Sequence, residues 1–172
     1  MMVEEIKPIE PPDSHYLNAA HGWLGLGNIA EAVNELTGMN PALRAHPHVL
    51  ETHWEIHKRK KRFDVCLEIG RELTVIAPKQ AASWVLLAEA VYFQGRYQEA
   101  YDLLHPHLEQ FPESWPVLYD MACYASLLER FEEARTWLDR AIKLGDPNYV
   151  KKRAQEDPDF APLWKATGGI FG

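Results

Sequence analysis

Apolar residues recur three and four positions apart through most of the chain, a spacing that predicts amphipathic helices rather than strands. The clearest stretch runs from Trp84 to Pro112 and reads as two helices joined by a turn at Gly95. Small residues, among them Ala88 and Ala100, stand where the two helices would approach closely. We therefore expect an all-α chain built from antiparallel helix pairs.

The same pattern returns at a fixed interval. The small position of the second helix is met at every step of 34 residues, at Ala32, Cys66, Ala100 and Ala134. A period of this length indicates stacked copies of one helical hairpin. Each hairpin can bury its apolar face only against a neighbour. We predict that residues 13–146 form one domain of four such hairpins.

The two ends of the chain depart from this pattern. Residues 1–12 contain three prolines among acidic residues, which predicts a mobile N-terminal arm. The repeat fails beyond Gly145, where Asp146-Pro147 is a typical helix start. We expect residues 147–172 to form a C-terminal capping helix and tail, which would cover the apolar face of the last hairpin.

Composition and charge disfavour several classes of protein. The chain has 172 residues and a formal net charge of -7, which disfavours binding to nucleic acid. No apolar run approaches the roughly 20 residues of a membrane span, and the acidic N-terminus does not resemble a secretory signal. Cys66 and Cys123 alone cannot make a disulfide scaffold. We expect reduced thiols and a cytoplasmic location.

These columns resemble the tetratricopeptide repeat, a family of helical hairpins of 34 residues. The bulky column of the first helix reads Tyr16, Leu50, Trp84 and Leu118. The small column of the same helix reads Ala20, Trp54, Ala88 and Ala122, so the second hairpin departs from the pattern. The resemblance implies an all-α, right-handed superhelical solenoid. It also implies a concave groove, lined by the first helix of each pair, which binds peptides or partner domains.

The family pattern assigns groove positions in this sequence. The predicted partner-binding residues are Glu51, Glu55, Val85, Glu89, Tyr92, Phe93, Tyr119 and Cys123. Their mixture of acids and aromatics favours a ligand with an apolar side chain and a basic group. The alternative is that Tyr92 and Phe93 only pack within or between repeats. Some members of the family bind the C-terminal carboxylate of chaperones through Lys, Asn and Arg in this groove. The matching positions here are Leu17, His21, Thr52, Ala82 and Leu86, so we expect no binding of this kind.

Two further signals have simpler explanations. His53 and His57 share one helix face at a spacing that metals use, but no third ligand is identifiable, so we expect no metal site. Residues 57–62 form a basic cluster that could meet phosphate or an acidic partner. We favour a solvated turn between helices. Catalytic motifs are lacking, so the sequence predicts neither an enzyme nor a cofactor.

The leading hypothesis is thus a protein–protein interaction scaffold or adaptor that binds a peptide or partner domain in its concave groove. One alternative is a dedicated substrate chaperone of the secretion type, which small bacterial members of the family resemble in size. The other is a self-assembling structural subunit, a homo-oligomer that stacks through the ends of its solenoid.

Overall fold

In the computed structural model, which describes residues 6–169, the chain is helical and no strand occurs within that range. Eight α-helices form four consecutive pairs, and two more follow the last pair. The helices are α1 Asp13–Gly25, α2 Ile29–Thr37, α3 Pro47–Arg59, α4 Phe63–Ile76, α5 Ala81–Tyr92, α6 Tyr97–Leu104, α7 Trp115–Leu127, α8 Phe131–Leu144, α9 Pro147–Glu156 and α10 Ala161–Thr167. Three short 3₁₀-helices are η1 Pro41–Leu43, η2 His105–His107 and η3 Pro158–Phe160.

The turn inside each helix pair has the same backbone conformation. One residue per turn has a positive φ: Gly27 (77°), Lys61 (55°), Gly95 (76°) and Glu129 (59°), each 34 positions after the last. The following amide donates back across the helix end, as from Asn28 N to the Trp23 carbonyl at 2.9 Å. This left-handed closure of a helix is the usual helix C-terminal motif. The predicted repeat is therefore present in the backbone as well as in the side-chain pattern.

The small columns lie where the helices of each pair touch. All their members are fully buried: Ala20, Trp54, Ala88, Ala122, Ala32, Cys66, Ala100 and Ala134. A methyl-sized side chain lets two helix backbones approach closely, which explains the predicted spacing. Trp54 is the exception, because its large ring is buried in a position that the other pairs give to alanine.

The chain divides between Pro78 and Lys79 into two compact units. The first unit contains α1 to α4, with α1 packed on α2, α3 packed on α4, and α3 also contacting both α1 and α2. Its core residues are Leu17, Ala20, Leu24, Ala32, Leu36, Met39, Val49 and Ile56.

Part of the predicted N-terminal arm contacts this first unit. Ile9 packs against its core, and the Lys7 carbonyl lies 2.8 Å from Nε2 of His46. The remainder of the arm, residues 1–5, lies outside the described residues. The predicted division at residues 13 and 146 stays a prediction, although α1 begins at Asp13 and α8 ends at Leu144.

The second unit contains α5 to α10. The pairs α5–α6 and α7–α8 pack internally, α6 packs on α7, and α9 packs on α8. The helix α6 is followed directly by η2, whose His107 ring stacks on Trp84 at 3.4 Å between centroids. After α9 the chain turns back, so that η3 lies against α7 and α10 contacts both α7 and α8.

None of the helices within residues 6–169 combines the length and the hydropathy that crossing a membrane requires.

Candidate functional site

The side chains predicted to contact a partner divide between the two units. Glu51 and Glu55 lie on α3 in the first unit. The second unit holds the others, with Val85, Glu89 and Tyr92 on α5, Phe93 at the C-terminal cap of α5, and Tyr119 and Cys123 on α7. We call the surface formed by Tyr92, Tyr119, Cys123 and Ser126 the α5–α7 face.

The α5–α7 face is covered by the chain's own C-terminal residues. Tyr119 is 1% exposed and Cys123 is 5% exposed, whereas the sequence analysis places both in an open groove. The residues that cover them are Asp157 and η3. A partner can therefore reach Tyr119 and Cys123 only if this segment moves away.

Hydrogen bonds from hydroxyl groups hold the covering segment in place. The Tyr92 hydroxyl donates to Oδ2 of Asp159 at 2.8 Å, and the Tyr119 hydroxyl donates to Oδ2 of Asp157 at 2.9 Å. The Ser126 hydroxyl donates to the main-chain carbonyl of Asp159 at 2.7 Å. The face thus recognises two carboxylates and one peptide carbonyl with neutral donors.

An aromatic side chain anchors the same segment. Phe160 is fully buried and meets the Tyr119 ring edge to face, with 5.4 Å between centroids. The Trp164 ring lies 5.6 Å from Phe160, and Leu163 is also fully buried. Aromatic pairs in this geometry contribute about 0.5–1.5 kcal/mol beyond the area that they bury. The segment is therefore attached by an apolar anchor next to an acidic pair.

Burial decides the protonation states at this face. It raises the pKa of the Tyr92 and Tyr119 phenols far above their ordinary value, so both remain hydrogen-bond donors. Burial also raises the pKa of the Cys123 thiol, which stays neutral. The pKa of the Asp159 carboxyl is raised mainly by burial and also by the nearby Asp157, while the Tyr92 hydrogen bond opposes the shift.

The same place brings together a set of metal-binding residue types. The Cys123 sulfur and one carboxylate oxygen each from Asp157 and Asp159 lie within 4.8 Å of one another. Both carboxylates already accept hydrogen bonds from tyrosine hydroxyls, and the thiol is neutral. Because a metal needs the thiolate and free carboxylate lone pairs, the hydrogen-bonded arrangement accounts for these residues without an ion.

In the first unit, the two predicted acids are paired within their own helix. Oε2 of Glu51 lies 3.1 Å from Nδ1 of His48, and Nε of Arg59 donates to Oε1 of Glu55 at 2.7 Å. Arg59 also donates from Nη1 to the Leu24 carbonyl at 2.6 Å, near the end of α1. The negative charge that was predicted to attract a basic ligand is therefore partly compensated inside the unit.

Three side chains of the basic cluster at residues 57–62 make contacts within the first unit. Besides Arg59, the Lys58 ammonium lies 5.1 Å from the centroid of the Trp54 ring. Arg62 forms an ion pair with Asp64 at 3.3 Å. Burial and neighbouring cations lower the pKa of His57, and burial with His57 lowers the pKa of His53. These contacts agree with a turn that joins two helices.

Comparison with known proteins identifies the repeat. Residues 93–163 match the family model described as tetratricopeptide repeat. This match supports a tetratricopeptide repeat protein. The matched region begins at the end of α5 and runs into α10, so it includes both α7 and the segment that covers it. None of the curated proteins matches the chain in sequence.

Several solved structures have a similar fold. The thermophilic tetratricopeptide repeat protein TTC0263 from Thermus thermophilus is 18% identical, with a TM-score of 0.73 over 91% of this chain and 83% of that one. MamA from Desulfovibrio magneticus RS-1 is 14% identical, with a TM-score of 0.63 and 94% of each chain covered. MamA MSR-1 is 20% identical, with a TM-score of 0.60 over 94% of this chain and 90% of that one. The predicted all-α repeat fold is confirmed.

The sequence predicts that residues 147–172 cap the last hairpin, but it does not predict that they cover the α5–α7 face. Asp157-Pro158 reads locally as a helix start, and η3 does begin there, with Oδ1 of Asp157 accepting from the Asp159 amide at 3.0 Å. The apolar residues Phe160 and Leu163 indicated a packing contact, because apolar side chains at helical spacing after a cap are expected to pack against another element. Both are fully buried. Which surface they cover is decided by the tertiary structure.

Proposed function

We propose that this tetratricopeptide repeat protein is a non-enzymatic scaffold that binds another polypeptide, with the α5–α7 face as one binding surface. The repeat fold supports a role in protein–protein interaction in general. The observation that supports this particular surface is its present occupant. A short stretch of polypeptide, Asp157 followed by one turn of 3₁₀-helix, lies on the face and is held through its side chains and its main chain.

This mode of attachment is that of a bound peptide. Peptide ligands are recognised by hydrogen bonds to the main chain and by pockets for selected side chains. Here the main chain is held by Ser126, and Phe160 fills the apolar pocket. Tyrosine supplies much of the surface, as it does in many protein interfaces. The predicted residues Val85, Glu89 and Phe93 lie partly exposed beside it and would extend the contact.

Affinity capture with variants of the face tests the proposal. The full chain is used as bait in an extract of its source cell, and captured proteins are identified by mass spectrometry. A chain carrying Glu89→Lys together with Tyr92→Ala should lose specific partners. The matched control carries Glu132→Lys with Tyr149→Ala, both at exposed positions on α8 and α9, and should retain them. Equal capture by the two double variants would contradict binding at this face.

Self-assembly is a second candidate, supported by exposed apolar side chains in the first unit. Val75 at the end of α4 is 79% exposed, and Leu26 beside the first turn is 78% exposed. Exposed apolar side chains mark a contact between chains when they belong to a large contiguous patch. Light scattering across a concentration series measures the molar mass, and a constant monomer mass would reject this candidate. The cytoplasmic location stays a prediction.

A further inference from the structure

Residues 157–164, which we call the C-terminal segment, lie on a surface that is chemically selective. Neither α5 nor α7 contains a lysine or arginine. The two carboxylates of the segment are therefore met by the hydroxyl groups of Tyr92 and Tyr119. Arg153 of α9 places its guanidinium over the Tyr119 ring, 4.4 Å from the centroid. Neutral donors recognise a carboxylate by position and direction rather than by attraction at long range.

A segment that served only to cover apolar surface would need the Asp157 carboxylate as the cap of η3, but not its second contact with Tyr119, and it would not need the Asp159 carboxylate. Burying a polar or charged group costs free energy that its hydrogen bonds only partly return, so an apolar residue would stabilise a cap better. Yet Asp157 and Asp159 are both partly buried and both aimed at tyrosines. Buried polar groups of this kind can contribute to specificity instead of stability. The pair thus has the character of a recognition sequence.

The segment is also attached in a way that permits exchange. It follows the end of α9 at Glu156 through an extended residue, Asp157, whose ψ is 117°. It contains one turn of 3₁₀-helix and then α10, which ends at Thr167 before Gly168 and Gly169. Short elements of this kind have little stability of their own and depend on the surface beneath them.

From these three observations we infer that the C-terminal segment occupies, within its own chain, the binding site for a partner peptide of the same chemistry. That partner carries an acidic pair, spaced as Asp157 and Asp159 are, followed by an aromatic residue. The inference rests on the proposed function, because it takes the α5–α7 face as the binding surface. The ligand inferred here is acidic, whereas the sequence pattern favours a ligand with a basic group.

Competition within the chain has a measurable consequence. A tethered segment competes at an effective concentration that is commonly in the millimolar range. The apparent affinity for a free peptide falls in proportion to the fraction of chains whose face is open. Weakening the segment should therefore increase the apparent affinity for a peptide that binds the same face.

A purified full-length chain and a synthetic peptide test this. The probe is the peptide DPDFAPLWKATGG, which copies residues 157–169, with a fluorophore at its C-terminus. Fluorescence anisotropy measures its affinity for the wild-type chain and for Phe160→Ala, in which only the tethered copy is weakened. We expect at least about tenfold tighter binding to the variant. The matched control is Lys165→Ala, an exposed position in α10, which should bind as the wild type does.

Two variant peptides test whether the opened chain binds the probe specifically or binds any peptide once the segment is loosened. A peptide in which Phe160 is replaced by alanine, and another in which both aspartates are replaced by lysine, should not bind the opened chain. If Phe160→Ala fails to fold, as judged by circular dichroism, the chain with Asp157→Asn and Asp159→Asn replaces it. Folded, weakened chains that bind the probe no better than the wild type would overturn the inference.

The failure of this inference is distinguishable from that of the proposed function. Peptide binding uses purified components, whereas capture depends on the variants of Glu89 and Tyr92. Capture that is lost in those variants, together with no binding of the probe, retains the scaffold and rejects the competing segment. Binding of the probe to the opened chain supports the inference whatever the capture experiment yields.

Discussion

The hydroxyl of Tyr92 donates a hydrogen bond of 2.8 Å to the carboxylate of Asp159, which lies 67 residues further along the chain. This contact joins α5, the first helix of the third pair, to a segment that follows the last pair. Together with the hydrogen bond from Tyr119 to Asp157, it fastens the C-terminal segment across the α5–α7 face. The consequences of that attachment can be measured one residue at a time.

Removing either hydroxyl should weaken the attachment. Tyr92→Phe and Tyr119→Phe each keep the ring and delete one hydrogen bond to a carboxylate, which then lacks a buried partner. We expect each change to lower the free energy of unfolding of the second unit by about 1.5–3 kcal/mol, from the usual contribution of hydrogen bonds to charged groups. Urea denaturation followed by tryptophan fluorescence measures it. Tyr149→Phe is the control, because Tyr149 is 55% exposed and its change should be neutral.

Deleting the aromatic anchor should cost more. Phe160 is fully buried against Tyr119 and Trp164, so Phe160→Ala leaves a cavity. Substitutions of buried phenylalanine by alanine lower stability by about 3–5 kcal/mol, and a segment near the end of a chain can relax toward the lower value. Thermal denaturation should show a lower melting temperature for Phe160→Ala and an unchanged one for Lys165→Ala. A loss below about 1 kcal/mol would mean that the ring is not an anchor.

The thiol of Cys123 reports on the opening of the segment. It is covered by Asp157, and burial raises its pKa, so alkylation of the native chain should be slow. In Phe160→Ala we expect the alkylation of Cys123 to accelerate by roughly tenfold or more, because the thiol becomes accessible to water. Iodoacetamide labelling followed by peptide mass spectrometry gives the rate at each cysteine.

Cys66 in the first unit is the internal control for that labelling. Burial raises the pKa of its thiol to about 11, and no residue of the C-terminal segment belongs to its unit. Its rate should be equal in the wild type and in Phe160→Ala. Acceleration of both cysteines would indicate general unfolding, and acceleration of neither would contradict local opening.

The titration of Asp159 should make the attachment depend on pH. Its pKa in the folded chain is raised above the ordinary 3.8, so the folded chain holds this proton more tightly than the unfolded chain does. The resulting stabilisation is complete below about pH 3.8 and is lost as pH rises through the raised pKa. The groups that face this carboxyl are Tyr92, Asp157 and Cys123.

Comparison with Asp159→Asn isolates that titration, because asparagine does not ionise. The stability of the wild type relative to the variant should fall as pH rises from the ordinary 3.8 through the raised pKa of Asp159, which is the window to be measured. Urea denaturation at several pH values within this window measures the difference. A difference that stays constant, or that favours the wild type more as pH rises, would contradict the raised pKa. The same comparison with Asp102→Asn, an exposed residue of α6, should show no such trend.

Replacing glutamate by glycine should have opposite effects on stability inside the repeated turn and in the helix that follows it. Glu129 has a φ of 59°, a conformation that costs a residue with a side chain about 1 kcal/mol and costs glycine nothing. Glu129→Gly should therefore be neutral or stabilise the chain by up to about 1 kcal/mol, once the extra freedom of unfolded glycine is counted. Glu132→Gly, three residues later in the first turn of α8, should destabilise it by about 0.5–1 kcal/mol. Thermal denaturation of both variants checks the contrast.

The helix pairs were predictable from the sequence because their determinants are local and repeated. Alanine-sized residues at steps of 34 mark close contacts between the helices of a pair, and the contacts occur where the columns predict them. The turns follow from the same register, and Gly27 and Gly95 reveal two of them directly. Lys61 and Glu129 adopt the same conformation without the glycine, so only the interval of 34 indicates those turns.

The candidate site was predictable only in part. The pattern of the family identified Tyr92, Tyr119 and Cys123 as one surface, and the structure brings them together around two carboxylates. It did not reveal that the C-terminal cap, which was expected on the last hairpin, covers this surface. Exposure in a solenoid follows from which segment packs on which helix, and no periodicity links residue 119 to residue 157.

The two carboxylate oxygens of Asp157 make one contact that the sequence predicts and one that only the tertiary structure decides. One of its oxygens, Oδ1, accepts from the amide of Asp159, a contact between near neighbours that the Asp-Pro pair predicts from the sequence alone. The other oxygen, Oδ2, accepts from the hydroxyl of Tyr119, 38 residues away. The sequence by itself determined the helices, their pairing and the turns, because each depends on backbone preferences and on packing between adjacent repeats. The tertiary structure alone decided that the end of the chain covers its own binding face, because that contact depends on the direction in which the chain leaves α9.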